Sequence, residues 1–300
     1  MMKKHYFVRN NQLSILLSFV LMMALLAGCG GNAETSGAAD SPNSSSNSSG
    51  SLGDSTSSKG DDQESAEGSA AEVSAEIASL EESGVSPVGV GIAKYFEAKG
   101  KASDTMNIVT EKIGSSGDPL AVMALMPLTF ADLTIMPLMV LTMIPSAGDN
   151  LWEGEFTMMF SGSGRIQQKG ATSDFTLDVS DLANPDNNMQ VTGKYDSDKE
   201  SLRAEFKLNN NASHIFEFSA SGGGYASQLY SVADGEVTLI KNAFNGDALY
   251  SGIVPTSGEP DSIYQKKVEI GEGFVKNDGV MLAADNGAGY VVLEGRKVEF

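Results

Sequence analysis

The chain changes its pattern of apolar and polar positions three times. Residues 13–27 are an almost unbroken apolar run behind a basic start with Lys3, Lys4 and Arg9 and no acid. Residues 30–68 carry almost nothing apolar. From about residue 69 apolar positions recur three and four apart. From about 151 they alternate one by one. The first spacing lines one face of a helix and the second lines one face of a strand. Helices over 69–146 followed by antiparallel strands over 147–300 is an α+β order.

Within the helical part, Ser69-Ala70-Ala71-Glu72 reads as a capping box ahead of Val73, Ile77 and Leu80, with Gly84 as the stop. Ser86-Pro87 opens a second helix whose apolar face is Ile92, Tyr95 and Phe96, ended by Gly100. Ser103 caps a third, with Met106, Val109 and Ile113, closed by Gly114. The block 119–145 is different. Asp132 is its only charge, and it holds Met123, Met126, Met136, Met139 and Met143. Pro127 and Pro137 divide it into pieces too short to cross a bilayer. It predicts two or three short helices, apolar on nearly every side and packed on the sheet. Ordinary core, the wall of an apolar cavity and a membrane contact all fit such a block. A lysine at Leu125 or Met139 is expected to be costly, and Asp132 is expected at a helix end or a wet rim.

In the β part Phe175, Leu177 and Val179 alternate with Thr176 and Asp178. Met189, Val191 and Tyr195, then Leu202, Ala204, Phe206 and Leu208, then Phe216, Phe218 and Ala220 continue the alternation. Asp196 to Lys199, Asn209 to Asn211, Gly222 to Gly224, Asn277-Asp278-Gly279, Asp285-Asn286-Gly287 and Glu294-Gly295 supply turns. About ten strands are expected, in an antiparallel meander forming a curved sheet or half-barrel against the helices.

Charge narrows the partners. With 20 basic and 39 acidic side chains the formal charge is −19, which repels nucleic acid. A single cysteine excludes an intramolecular disulfide and a multi-thiolate metal site. Only His5 and His214 could serve as an imidazole base, and His214 in NASHIFEF reads as a strand-end side chain. The run from Asp196 to Glu200 has the odd-position carboxylates of a calcium loop, but Ser201 and Lys207 stand where glycine and glutamate are needed, so it reads as a hairpin turn. Gly162-Ser163-Gly164 and the Gly222 triplet lack the lysine and helix start of a phosphate loop. No catalytic set, cofactor or metal is assigned. Trp152, Tyr225 and Tyr230 are aromatic candidates for a pocket mouth.

The one thiol has its own context. Leu26-Ala27-Gly28-Cys29 follows a basic region and a short apolar core, and resembles a bacterial lipobox. The resemblance implies that residues 1–28 are a signal peptide, that Cys29 is diacylglyceryl-modified, and that the protein is an extracytoplasmic lipoprotein anchored to the cell membrane. Residues 29–68 would then be a disordered tether, with an r.m.s. span of roughly 35 Å. In outline, the helices and half-barrel look like lipoproteins of the LolA and LppX type, which hold lipid between sheet and helices. Three functions follow as expectations. The first is a non-enzymatic envelope module that binds an apolar ligand or an envelope partner, with Met123, Met126, Met136, Met139, Met143 and Trp152 as ligand contacts. The second is a structural or interaction module with a filled core. The third is a carboxylate-based hydrolase of the cell wall.

Overall fold

The computed structural model describes residues 84–115, 123–146, 151–157, 160–181, 188–208, 212–233 and 235–300. The lipobox with Cys29, the tether, the capping box at Ser69 and the turn at Asn209 to Asn211 lie outside the described residues.

Twelve strands make one antiparallel sheet in which each strand pairs with its neighbours in the chain. They are β1 (Leu151–Thr157), β2 (Phe160–Lys169), β3 (Thr172–Asp181), β4 (Asn188–Asp196), β5 (Ser201–Leu208), β6 (Ser213–Ser221), β7 (Gly224–Ala233), β8 (Glu236–Phe244), β9 (Ala248–Val254), β10 (Val280–Asp285), β11 (Ala288–Leu293) and β12 (Arg296–Glu299). The sheet is open, because β1 and β12 are its two edges. Twelve is two strands more than the alternation suggested, and the short C-terminal hairpins fall at the turns read from the sequence. There Asn286 and Gly287, then Glu294 and Gly295, take the positive φ that tight two-residue turns require.

Register carries one apolar row across nearly the whole sheet. It runs Trp152, Ile166, Phe175, Gly193, Ala204, Phe216, Leu229, Ile240, Ile253, Val280 and Leu293, each paired with the next. A one-residue slip anywhere would send this row to the other face, so the alternation specifies the pairing.

Helix α1 (Pro87–Lys101) begins as its sequence suggests. The Ser86 side chain accepts from the Gly89 N–H at 3.3 Å, and proline sits in the first turn. It runs past Gly100 and ends on Ala102, whose N–H returns to Ala98 and Lys99 carbonyls. Helix α2 (Ser103–Ser115) likewise runs past Gly114. A short 3-10 turn (Met123–Leu125), helix α3 (Met126–Ile135) and a 3-10 helix (Met136–Met143) follow. Pro127 and Pro137 each fall in the first turn of an element, where a missing N–H costs nothing, so they open helices here. The two elements run on without a gap, and by length and apolar composition those 18 residues could cross a membrane. Yet Leu128, Ile135, Leu138 and Leu141 are fully buried within the fold.

The deepest contact centres on Tyr95 of α1. Its ring stacks on Phe218 at 4.8 Å between centroids and meets Phe216, Tyr225 and Phe244 edge-on. Its hydroxyl reaches Ser227 Oγ at 3.1 Å. Burial raises the Tyr95 pKa well above the ordinary phenol value, so the group stays a neutral donor. Two glycines let the helix approach. A Cβ at Gly91 would collide with the Tyr195 ring, and one at Gly89 with the Leu141 carbonyl of the 3-10 helix.

The methionine block is two-sided, against the expectation of an element apolar and buried all round. Leu138 is 1% exposed, while Met139 is 36% and Met143 61% exposed. Asp132 lies within α3 and pairs with Lys99 of α1, its side chain partly exposed. The cost foreseen for a charge at Met139 therefore moves to its neighbour. Leu138→Ala should destabilise the fold by about 2–5 kcal/mol through the cavity it leaves. Met139→Lys should stay within about 0.5 kcal/mol of the native protein. Urea unfolding of both variants checks the contrast; equal losses would contradict the two-sided packing.

Candidate functional site

Between the C-terminal half of α1, the β4–β5 turn and the β6–β7 turn lies an open cleft of about 880 Å³. Five lysines line it: Lys94, Lys101, Lys199, Lys266 and Lys267, against Glu97, Asp198 and Glu200. Lys101 pairs with Glu97 at 2.7 Å, one helical turn away, and Lys94 reaches Glu200 at 3.5 Å. Among the described residues, Lys199, Lys266 and Lys267 have no carboxylate within ion-pair distance. The lining side chains thus carry a local excess of positive charge on a chain of net −19.

Each wall has a local cause. The β4–β5 turn is an Asx turn. Asp196 Oδ1 accepts the N–H groups of Asp198 and Lys199 at 3.0 and 3.1 Å, which leaves Lys199 at the tip. This is the physical use of the Asp196 carboxylate that a calcium loop would have claimed. The β6–β7 turn closes at the pair Ser221 and Gly224, with Gly222 and Gly223 at φ 55° and 82°. Neither has a heavy atom near its missing Cβ, so this wall is bare backbone.

Lys266 and Lys267 come from residues 255–271, an irregular strap between β9 and β10 that lies over the outer face of β5–β7. The strap is clasped by Glu217, whose side chain is fully buried. Its two carboxylate oxygens accept from Arg203 Nη1 at 2.6 Å, Ser262 Oγ at 2.6 Å, Gln228 Nε2 at 2.7 Å and the Ile263 N–H at 2.9 Å. Four donors on one desolvated carboxylate are what burial of that charge requires. Arg203 also holds Glu259 at 2.8 Å. Burial works against its charge, but Glu259 and Glu217 outweigh that and raise its pKa further. Next to the clasp, the Gln265 N–H donates to Ser201 Oγ at 2.7 Å, and Ser219 Oγ donates to the Lys266 carbonyl at 2.7 Å. The strap backbone is thus held at Gln265 and Lys266, while the Lys266 and Lys267 side chains are exposed.

The residues singled out for an apolar ligand do not gather in this cleft. Met123 opens the short 3-10 turn. Met126 and Met136 are half-buried, and Met139 and Met143 face outward. Trp152, on edge strand β1, packs against the main core. Tyr225 borders the lysine cleft with a buried ring, and burial raises its pKa. Tyr230 lies on the opposite face of β7. His214 is a half-buried strand residue whose Nδ1 lies 2.9 Å from Ser231 Oγ. Among the described residues, no three His, Cys, Asp or Glu side chains are grouped to hold a metal ion. The adjacent pair Lys266-Lys267 was the only visible trace of the cleft in the sequence. Its partner Lys199 lies far back in the chain, brought near by the strap.

Glu217→Ala should leave the Ile263 N–H, Gln228 Nε2 and Ser262 Oγ without this acceptor, while Arg203 keeps Glu205 and Glu259, destabilising the protein by about 1–3 kcal/mol. Limited proteolysis should then cut first within 255–271, whereas native-like resistance there would refute the clasp. For His214, burial lowers the pKa below the usual 6.5. The unfolded chain then binds the proton more readily, so the contribution is complete above about pH 6.5 and is lost as pH falls toward the lower folded value. Between pH 7 and 5 the melting temperature of His214→Gln should fall less steeply than that of the native protein. Parallel curves would show that burial of this ring is not felt.

Comparison of the chain with protein-family models, with curated proteins and with solved structures finds no match.

Proposed function

We propose that this protein is a lipid-anchored module of the cell envelope that binds an anionic envelope component through its lysine cleft. The observation that carries this reading is the local excess of positive charge: three unpaired lysines in an otherwise acidic molecule. Lysines are compact point charges without the planar fork of arginine, and suit a ligand whose charges are spaced along it. The cleft is open and holds about 880 Å³, which favours a segment of linear polyanion over a single small ion. The work is binding, with the lipid on Cys29 keeping the site at the membrane.

The same proposal includes a curved sheet clasping its helices, similar in outline to the half-barrel lipoproteins. In those proteins lipid occupies the space between sheet and helices. Here Ile92, Tyr95, Leu128, Ile135, Leu138 and Leu141 are among the largest fully buried side chains, which supports a filled interior and a ligand held outside it.

Inorganic polyphosphate of defined length is a suitable probe. Binding should weaken with salt, log K falling by about 0.7 per lysine contact for each tenfold rise in salt. The variant Lys199→Ala/Lys266→Ala/Lys267→Ala should lose about two units of that slope and at least tenfold in affinity, at unchanged melting temperature. A variant that keeps both affinity and slope overturns the cleft as the site.

A further inference from the structure

Among the described residues, nothing covers the outward side of the methionine block. Leu133 lies near the end of α3, and Met136, Met139 and Met143 lie along the 3-10 helix. At three residues per turn Met136 and Met139 line up, and Met143, four residues on, is turned about a third of a turn from them. Leu133, Met139 and Met143 are three of the five most exposed large apolar side chains among the described residues, at 43%, 36% and 61%. The only acid within α3 and this 3-10 helix, Asp132, is compensated by Lys99. Other surface helices of this protein carry charges freely, for example Glu97 and Lys101 on α1.

The ridge also has a definite neighbour. Val85 forms an isolated bridge with Pro145, and the Ser86 N–H donates to the Ile144 carbonyl at 3.0 Å. The first described residues, Gly84 to Ser86, therefore lie against Ile144 to Ser146, next to Met143. Resting on the lipid-anchor reading above, we propose that the ridge of Leu133, Met136, Met139 and Met143 sits on the same lipid surface that holds the Cys29 acyl chains. The tether read over residues 29–68 would span roughly 35 Å, so the anchor would keep the ridge at high effective concentration near the bilayer. Methionine suits the role, because its unbranched thioether adapts to a fluid surface. The remaining face of the block stays in the core through Leu128, Ile135, Leu138 and Leu141, so the segment lies on the membrane and does not span it. The overall negative charge makes the contact one for zwitterionic lipid, and too weak to hold without the anchor.

The test uses the full chain made in a lipoprotein-processing bacterium and reconstituted into phosphatidylcholine vesicles containing a few per cent of a diazirine-bearing phosphatidylcholine. Mass spectrometry first reads acylation at Cys29, then maps photo-adducts. Adducts should concentrate in residues 126–143. They should fall at least tenfold in Met139→Glu/Met143→Glu, with acylation and melting temperature unchanged, because both side chains are exposed. They should fall similarly in Cys29→Ser added to the same vesicles. Adducts spread evenly over the surface, or undiminished by the glutamates while Cys29 is acylated, overturn the ridge contact alone. An unacylated Cys29 overturns the anchor reading, and the proposal with it. Dimers of the Cys29→Ser protein that the glutamates dissociate would assign the ridge to a second copy of the chain and also overturn it.

Discussion

Tyr95 is the contact on which the rest depends. One ring brings Phe216, Phe218, Tyr225 and Phe244 of three strands onto one residue of α1, and its hydroxyl finds Ser227 in the same face. Aromatic pairs of this kind add about 0.5–1.5 kcal/mol each beyond the area they bury. Because α1 is held there, Gly89 can bring the 3-10 helix against it, and Lys94, Glu97 and Lys101 are presented at the mouth of the cleft. The interior contact and the polar site are consecutive turns of one helix.

A second, smaller organising centre lies on the other face of the sheet. Glu217 sits directly opposite Arg203 on one neighbouring strand and Gln228 on the other. Such a cross-strand row is ordinary on a wet face. Here the strap covers it and turns it into a buried network, which fixes the otherwise irregular residues 255–271. Beyond the strap, the short helix α4 (Glu272–Val275) closes a separate apolar patch with Val275, Met281 and Ala283.

What could be read from the sequence was what is local. Ser86-Pro87 marked the start of α1 because capping is decided within four residues. Strand alternation in Phe175, Leu177 and Val179 marked buried positions because the pleat has period two. The two sides of the methionine block were illegible, because so few polar residues interrupt it that the sequence gives little signal of which face is covered. Met139 and Leu138 look alike in sequence and differ in exposure from 36% to 1%. The cleft was illegible for another reason. Lys199 and the pair Lys266-Lys267 meet only through the strap, and the strap through a buried carboxylate that composition cannot distinguish from 38 other acids.

The sequential strand order has a consequence for how this molecule comes into being. Every ladder joins chain neighbours, most of them across short turns, so each closure loses little chain entropy and the sheet can grow by addition of one hairpin at a time. The helices that cover it are made first and must wait, with Ile92, Tyr95 and Leu138 uncovered, until β4–β9 have formed. A chain made in this order is at its stickiest just after its helical part has emerged.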